Sequence, residues 1–193
     1  MTDTQSEQSL PKHDRPRPER RVVPSIVLVN TGDGKGKSTA AFGTIMRAVA
    51  REWPVGVVQF MKSGKWRVGE EAIGRKLGVD WWTVGDGFTW ESEDLDRSAV
   101  IAREAWAAAE AALSSDRYDL LVLDEITYPV NYGWIDPDPV WAAIRGRAER
   151  TNVFCTGRNA PQELVDLADT VTDMRMVKHA YQTGVRAKRG IDF

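Results

Sequence analysis

One nine-residue segment constrains this chain more than any other. Residues 31–39 read TGDGKGKST, and they follow a short apolar run at residues 25–30 that is rich in β-branched side chains and typical of a buried strand. Residues 37–51 have the spacing of apolar side chains that favours a helix. A strand, a glycine-rich loop and a helix in this order are the context that a phosphate-binding P-loop requires.

The chemistry of the loop supports the same interpretation. Backbone N–H groups of such a loop point inward and bind anions, and the start of the following helix adds partial positive charge. Lys37 adds a full charge, and Ser38 offers a hydroxyl at the position where P-loops hold Mg²⁺. The general pattern has glycine at the first position, where this chain has Thr31. We therefore predict a phosphate site, and a chance glycine- and lysine-rich turn is the alternative.

A second segment complements the loop. Residues 120–125 read LLVLDE, which predicts a buried strand that ends in two acidic residues, Asp124 and Glu125. A carboxylate at the end of such a strand lies beside the Mg²⁺ of a nucleotide bound to a P-loop. Together, the two segments predict a site for a Mg²⁺–nucleoside triphosphate and leave the reaction open.

The remaining pattern alternates between strands and helices. Further strands are predicted at residues 55–60, 79–84, 152–156 and 170–174, and further helices at residues 69–77, 97–113, 139–149 and 161–168. Alternation of this kind predicts a three-layer α/β domain of the P-loop NTPase (RecA-like) type, with a mostly parallel central sheet and helices on both faces. We expect this domain at residues 23–193. Residues 1–22 hold three prolines and mixed charge, and we expect them to be a disordered or conditionally ordered tail.

Composition excludes several classes of protein. The chain has 26 Lys and Arg against 28 Asp and Glu, so it lacks the basic excess of a general nucleic-acid-binding protein. Its one cysteine, Cys155, is expected to be a small core residue and indicates a reducing compartment, the cytoplasm. Its two histidines, His13 and His179, have no partner at metal-ligand spacing. No apolar run has the length of a membrane helix, so we expect neither a nucleic-acid nor a membrane partner.

Several further motifs carry a resemblance to a known family. They occur in the order and spacing of the P-loop corrinoid adenosyltransferases, which act on cob(I)alamin or cob(I)yrinic acid a,c-diamide. The resemblance covers the chain from about residue 22 to its last residue, and the first position of its P-loop also fits that family. The motifs are residues 40–43 (AAFG), 57–62 (VVQFMK), 87–91 (GFTWE), 123–128 (LDEITY), 156–161 (TGRNAP), 167–171 (LADTV), 177–180 (VKHA) and 190–193 (GIDF).

The resemblance implies a reaction and a set of partners. The family transfers the 5′-deoxyadenosyl group of ATP to the Co(I) centre of a corrinoid and releases triphosphate, in the biosynthesis or salvage of adenosylcobalamin. The implied partners are ATP with Mg²⁺, cob(I)alamin or an earlier corrinoid, and a reduced flavin or flavoprotein as electron donor. A homodimer is also implied, in which residues 1–22 could close over the active site of the other subunit.

The resemblance also assigns roles to residues around the nucleotide. It implies that Ser38 and Glu125 contact Mg²⁺, with the adjacent Asp124 as a further candidate, and that Lys37 and Glu125 are catalytic. Position 33 is a departure, because related loops often have Asn where this chain has Asp33. The implied nucleotide-binding residues are Thr31, Gly32, Asp33, Gly34, Lys35, Gly36, Lys37, Ser38, Thr39 and Arg158.

Two aromatic residues receive a different role. The resemblance implies that Phe88 and Trp90 are catalytic and bind the corrinoid, because the family uses aromatics here to crowd the lower face of the ring. Displacement of the axial ligand makes Co(II) easier to reduce. Without the resemblance, the same two residues are equally well explained as packing of a loop.

Other reactions remain open on the P-loop alone. A P-loop ATPase or a small-molecule kinase would release phosphate or ADP instead of triphosphate, although no arginine-rich lid of the kinase type is visible. A nucleotide-dependent binding module, such as a corrinoid carrier or a DNA-associated RecA-like motor, is the third class. The acidic net charge disfavours the motor.

Overall fold

The structure is a computed structural model that describes residues 19–61, 69–83 and 95–192. Six strands form one sheet in the order β3-β2-β4-β5-β1-β6, and every neighbouring pair is parallel. Parallel strands need crossover connections, and helices supply them. The strands are β1 (Val27–Thr31), β2 (Val55–Gln59), β3 (Asp80–Thr83), β4 (Leu120–Asp124), β5 (Asn152–Thr156) and β6 (Thr170–Asp173).

Helices cover both faces of the sheet. Alternate residues of a strand point to opposite faces, so Leu121 and Leu123 pack with the core on one side while Leu120 and Val122 pack on the other. The helices are α1 (Lys37–Val49), α2 (Gly69–Lys76), α3 (Leu95–Ser114), α4 (Thr127–Asn131), α5 (Pro137–Arg145) and α6 (Gln162–Leu167), and a 3₁₀ helix follows at Ala180–Thr183.

Each face of the sheet has its own buried cluster. The smaller cluster joins α1 to the sheet through residues such as Phe42 and Ile45. The larger cluster includes Trp106 of α3, Trp141 of α5 and Leu164 of α6. The predicted three-layer α/β class with a parallel sheet is therefore confirmed.

Among the α-helices, α4 and α5 differ most from the sequence prediction. The sequence pattern does not predict the short helix α4, which has only 5 residues and contains Pro129, a residue that disfavours helix interiors. Helix α5 was predicted at residues 139–149 but begins at Pro137, where the Asp136 carboxylate caps it by accepting from the Asp138 N–H at 3.1 Å. It ends at Arg145 because Gly146 follows, a residue with low helix propensity.

The parallel sheet determines where the functional site lies. The carboxyl ends of all six strands lie at the same edge of the sheet. The last residues of five of the strands, all except β3, are considered for the site. Strand β5 separates β1, which precedes the P-loop, from β4, which ends in the acidic pair. The last residues of these five strands are Thr31, Gln59, Asp124, Thr156 and Asp173.

Cys155 is fully buried in the core, as predicted, and burial raises the pKa of its thiol to about 12. Among the helices that the structure describes, none is long and apolar enough to cross a membrane. Residues 1–18 of the predicted tail lie outside the described part of the chain.

Candidate nucleotide-binding site

The loop between β1 and α1 has the backbone of an anion-binding turn. Gly32 has φ +89° and Gly36 has φ +117°, a left-handed region that glycine enters without strain. Gly36 is the N-cap of α1, so Lys37 and Ser38 are the first two residues of the helix. The backbone N–H groups at a helix start have no partners within the helix. The loop and the helix start together can therefore donate several hydrogen bonds to phosphate.

The loop is packed against the chain that follows β6. The Gly34 N–H donates to the Met174 carbonyl oxygen at 2.6 Å, and the Met174 N–H donates to the Thr31 carbonyl oxygen at 2.9 Å. A Cβ atom at Gly34 would lie only 2.5 Å from the Met174 oxygen and 2.8 Å from the backbone of Arg175. Glycine at this position is therefore required by close backbone contact, while its φ angle is unexceptional.

Lys37 lies at the centre of the loop. Its Nζ donates to the carbonyl oxygens of Gly32 at 2.6 Å and Gly34 at 2.7 Å. Burial lowers the pKa of Lys37, and the positive charge of Arg158 lowers it further. Carboxylates that face the ammonium group oppose this change: Asp33, Glu125 and Asp173.

The two acidic residues at the end of β4 have different environments. Asp124 is fully buried, and its carboxylate accepts from the Thr156 hydroxyl at 2.8 Å and from the Gln59 amide at 3.0 Å. Glu125 is half-buried and close enough to Lys37 to raise the pKa of that lysine. Of the pair, Glu125 is the one whose charge acts on the P-loop lysine.

Helix α4 fixes the loop that follows β5. The Thr127 hydroxyl donates to the Arg158 carbonyl oxygen at 2.7 Å, and the Asn131 amide donates to the Asn159 carbonyl oxygen at 3.1 Å. Gly157 has φ +145° and touches Thr127 so closely that any Cβ there would overlap it. The backbone of Arg158 is held in this way, while its side chain is exposed beside the P-loop.

A cavity of about 480 Å³ opens beside the P-loop. On one side it is bounded by the loop and on the other by the chain segments that follow β5 and β6. The Ala160 N–H donates to the Thr31 hydroxyl oxygen at 3.1 Å and joins two of these segments. Its lining residues are Thr31, Gly32, Asp33, Asn159, Ala160, Asp173, Arg175 and Met176.

Two of the predicted nucleotide-binding residues point elsewhere with their side chains. Lys35 forms an ion pair with Asp192, so its ammonium group is engaged outside the loop. Thr39 is exposed and lines a separate cavity of about 510 Å³ between α1 and α2. The predicted corrinoid-binding residues Phe88 and Trp90 lie outside the described residues.

The structure adds residues that the sequence prediction did not assign to the site. Thr156 and Gln59 contact Asp124, and Thr127 supports the loop that carries Arg158. Tyr128 is half-buried beside the acidic pair; burial raises the pKa of its phenol, and the nearby Glu125 raises it further. All of these residues except Tyr128 are polar residues at the end of an otherwise apolar strand or short helix. Their role becomes visible only once it is known which strands are neighbours in the sheet.

The donor set fits a magnesium ion that is held jointly with a nucleotide. Within the described residues, no cluster of three or more histidine, cysteine or acidic side chains could hold a metal by itself. Mg²⁺ is commonly bound by one or two protein oxygens together with substrate phosphates and water. The Ser38 hydroxyl and the Glu125 carboxylate are oxygen donors of that kind, and the acids around Lys37 would repel a triphosphate that arrived without a divalent cation.

Comparisons with known proteins show which family the chain belongs to. Residues 24–193 match the family described as ATP:corrinoid adenosyltransferase BtuR/CobO/CobP. The corrinoid adenosyltransferase of Escherichia coli (strain K12) is 42% identical over 168 residues, which cover 87% of this chain and 85% of that protein. The corrinoid adenosyltransferase CobA of Salmonella typhimurium (strain LT2) has the same identity and coverage. The corrinoid adenosyltransferase of Pseudomonas aeruginosa PAO1 is 41% identical over 170 residues, which cover 87% and 83% of the two chains. The resemblance found in the sequence is confirmed, and the chain belongs to the ATP:corrinoid adenosyltransferase family.

Proposed function

We propose that this chain transfers the 5′-deoxyadenosyl group of ATP to the Co(I) centre of a corrinoid and releases triphosphate, in the biosynthesis or salvage of adenosylcobalamin. The observation that carries the proposal is the convergence of the P-loop, Lys37 and Glu125 at one edge of the sheet in a member of this family. The corrinoid is a substrate, and its cobalt is the atom that becomes alkylated.

The proposed reaction explains why a P-loop serves a transfer in which no phosphoryl group moves. The electron pair of Co(I) forms a bond to C5′ of the ribose, and the C5′–O bond breaks with its electron pair leaving on the triphosphate. The leaving group therefore gains negative charge. Fixed donors aimed at such charge stabilise the transition state. The Lys37 ammonium and the N–H groups of the loop are donors of this kind.

We assign the divalent cation of ATP to Ser38 and Glu125, with Asp124 behind them. When bound, Mg²⁺ supplies two positive charges that offset the charge of the departing triphosphate. Arg158 is exposed beside Lys37, from where its guanidinium can reach a phosphate oxygen or an amide of the corrinoid. Asp33 is exposed on the loop, and we propose that it contributes to nucleotide binding through its backbone.

An anaerobic product analysis tests the reaction class. The protein is mixed with Mg²⁺-ATP and chemically reduced cob(I)alamin, the visible spectrum is followed, and the phosphate product is identified. We expect a light-sensitive adenosylcorrinoid and intact triphosphate in equal amounts. Phosphate or ADP without a cobalt–carbon product would contradict the proposal and favour a P-loop ATPase or a kinase. A reaction without corrinoid is the control for simple hydrolysis.

The aromatic pair outside the described residues is proposed to assist reduction of the corrinoid. Replacing both Phe88 and Trp90 with alanine should slow turnover when the corrinoid is supplied as Co(II) with reduced flavin as electron donor. The same variant should act nearly normally on chemically reduced Co(I), because the axial ligand no longer has to be displaced. Equal losses with both substrates would make these residues positioning groups for the ring.

The remaining partners are proposed on the family resemblance. We propose a cytoplasmic homodimer that receives electrons from a reduced flavin or flavoprotein. Residues 1–22 are proposed to form a tail that orders over the active site of the other subunit, as segments that fold on binding do. A sedimentation equilibrium measurement that gave the mass of one chain, with and without substrates, would contradict the dimer.

A further inference from the structure

A continuous chain of four hydrogen bonds crosses the sheet beneath the candidate site. The Trp81 indole N–H donates to Gln59 Oε1 at 2.9 Å, and Gln59 Nε2 donates to Asp124 Oδ2 at 3.0 Å. The Thr156 hydroxyl donates to Asp124 Oδ1 at 2.8 Å, and the Glu125 backbone N–H donates to Thr156 Oγ1 at 2.9 Å. The chain therefore begins on β3, passes through β2, β4 and β5, and ends on Glu125.

The direction of every bond in this chain follows from its two ends. An indole nitrogen only donates, so it faces the oxygen of the Gln59 amide and leaves the NH₂ group for Asp124. A carboxylate accepts at both oxygens, so the Thr156 hydroxyl donates its hydrogen bond to Asp124. The Thr156 oxygen then accepts a hydrogen bond from the N–H of Glu125. Reversing one amide or hydroxyl would place two donors or two acceptors face to face.

Burial makes the chain hard to break. Gln59, Asp124 and Thr156 are each 0% exposed, and Trp81 is 5% exposed. A buried polar group that loses its partner is not compensated by water, and satisfied buried networks hold their members in one arrangement. The register of the sheet supports the geometry, since Gln59 and Asp124 are directly paired across β2 and β4.

Glu125, at the end of this row of hydrogen bonds, has an unusual backbone conformation. Glu125 has φ +65°, a left-handed conformation that residues other than glycine seldom adopt and that surrounding structure has to impose. Its N–H bond to Thr156 is one such restraint. In this conformation the Glu125 side chain leaves the buried strand and lies near Lys37, while the preceding Asp124 stays inside.

We propose that Thr156, with Gln59 and Asp124 behind it, is a positioning residue that holds Glu125 in the conformation required to receive the divalent cation of ATP. This inference rests on the proposed function in one respect, the assignment of Glu125 to Mg²⁺. In metal sites generally, mutation of a residue that orients a ligand lowers metal affinity or activity by about 10- to 100-fold. Thr156 acts here on the backbone of the ligand residue, through its N–H group.

The test compares ATP binding with and without the cation in three variants. Thr156→Val removes the hydroxyl at nearly constant volume, and Thr156→Ser keeps it. Thr151→Val is the matched control, because Thr151 is also 0% exposed and its hydroxyl donates to the Tyr118 carbonyl oxygen at 2.8 Å, at the other end of β5. Calorimetry measures the affinity for ATP in excess Mg²⁺ and in EDTA, and thermal unfolding is followed for each variant.

Thr156→Val should lower the affinity for Mg²⁺-ATP by about 10- to 100-fold, the range found for residues that orient metal ligands. Its affinity for ATP in EDTA should be nearly unchanged, and Thr156→Ser should restore most of the Mg²⁺-dependent affinity. Thr151→Val should lower the unfolding temperature without changing the ratio of the two affinities. Equal losses in Mg²⁺ and in EDTA for Thr156→Val, or an unchanged affinity for Mg²⁺-ATP, would overturn the inference.

The readout separates this inference from the proposed reaction. A wild-type protein that binds Mg²⁺-ATP with the expected pattern but forms no adenosylcorrinoid would refute the proposed function and leave the role of Thr156 intact. A wild-type protein that binds ATP equally well with and without Mg²⁺ has no cation at Glu125, and the positioning role is then wrong. Each result is obtained with the intact chain and without turnover.

Discussion

Replacing Lys37 with alanine should abolish most of the adenosyl transfer. The ammonium group is the full positive charge at the centre of the P-loop, within hydrogen-bond distance of two loop carbonyl oxygens. Loss of one fixed donor at a developing negative charge lowers turnover by about 10²- to 10³-fold in other enzymes. We expect a loss of this size in the anaerobic assay with cob(I)alamin and saturating Mg²⁺-ATP.

A neighbouring lysine supplies the matched control. Lys35 lies in the same loop, but its ammonium group forms an ion pair with Asp192 and is about half exposed. Exposed ion pairs contribute little to stability, so Lys35→Ala should have a small effect on both folding and turnover. Near-normal turnover of Lys37→Ala, or equal losses in the two variants, would contradict the assignment of Lys37 to the leaving triphosphate.

Replacing Gly34 with alanine should disable nucleotide binding through packing alone. The added methyl group would lie 2.5 Å from the Met174 carbonyl oxygen, and backbone atoms cannot move aside as a flexible side chain can. The loop and the chain after β6 would separate and lose the 2.6 Å hydrogen bond between Gly34 and Met174. Overpacking typically destabilises a protein by about 1–3 kcal/mol. We expect lower stability in urea unfolding and no measurable Mg²⁺-ATP binding at concentrations that saturate the wild type.

Gly43 provides the corresponding control for the effect of a methyl group itself. It is exposed on α1, and a Cβ atom there would meet nothing within 4 Å. Gly43→Ala should stabilise the protein by roughly 0.5–1 kcal/mol, because alanine favours a helix more than glycine does. If Gly34→Ala retained wild-type stability and ATP affinity, the close contact with Met174 would not be what requires glycine in this loop.

The parts of the site that the sequence predicts are those encoded over short distances. The strand, loop and helix from residues 25 to 51 carry their own glycines, lysine and apolar spacing, so Lys37 and its surroundings follow from local chemistry. The acidic pair at the end of β4 is visible in the same way. Local patterns also fix the fold class, since alternating strands and helices leave few arrangements other than a parallel sheet.

The residues that support the site depend on which strands are neighbours. Gln59, Asp124 and Thr156 lie in three separate segments of the sequence. Asp124 is predicted from its own segment, but Gln59 and Thr156 are each only a polar residue at the end of an apolar strand. Their hydrogen bonds exist because β2, β4 and β5 are adjacent in the sheet. The pairing of Lys35 with Asp192 is equally nonlocal. The spacing of apolar residues and the charge of a segment contain no information about such contacts.

The strand order also has a consequence for synthesis of the chain on the ribosome. Strand β1 is made first, but its two neighbours are β5 and β6, which are made last. Hydrogen bonds that flank β1 join residues 126 and 142 positions apart, as in Ile26 to Asn152 and Val27 to Asp169. Contacts of such long range form late. A nascent chain therefore carries its P-loop without the two strands that flank β1 until β5 and β6 have been made, and we expect the ability to bind ATP to arise only then.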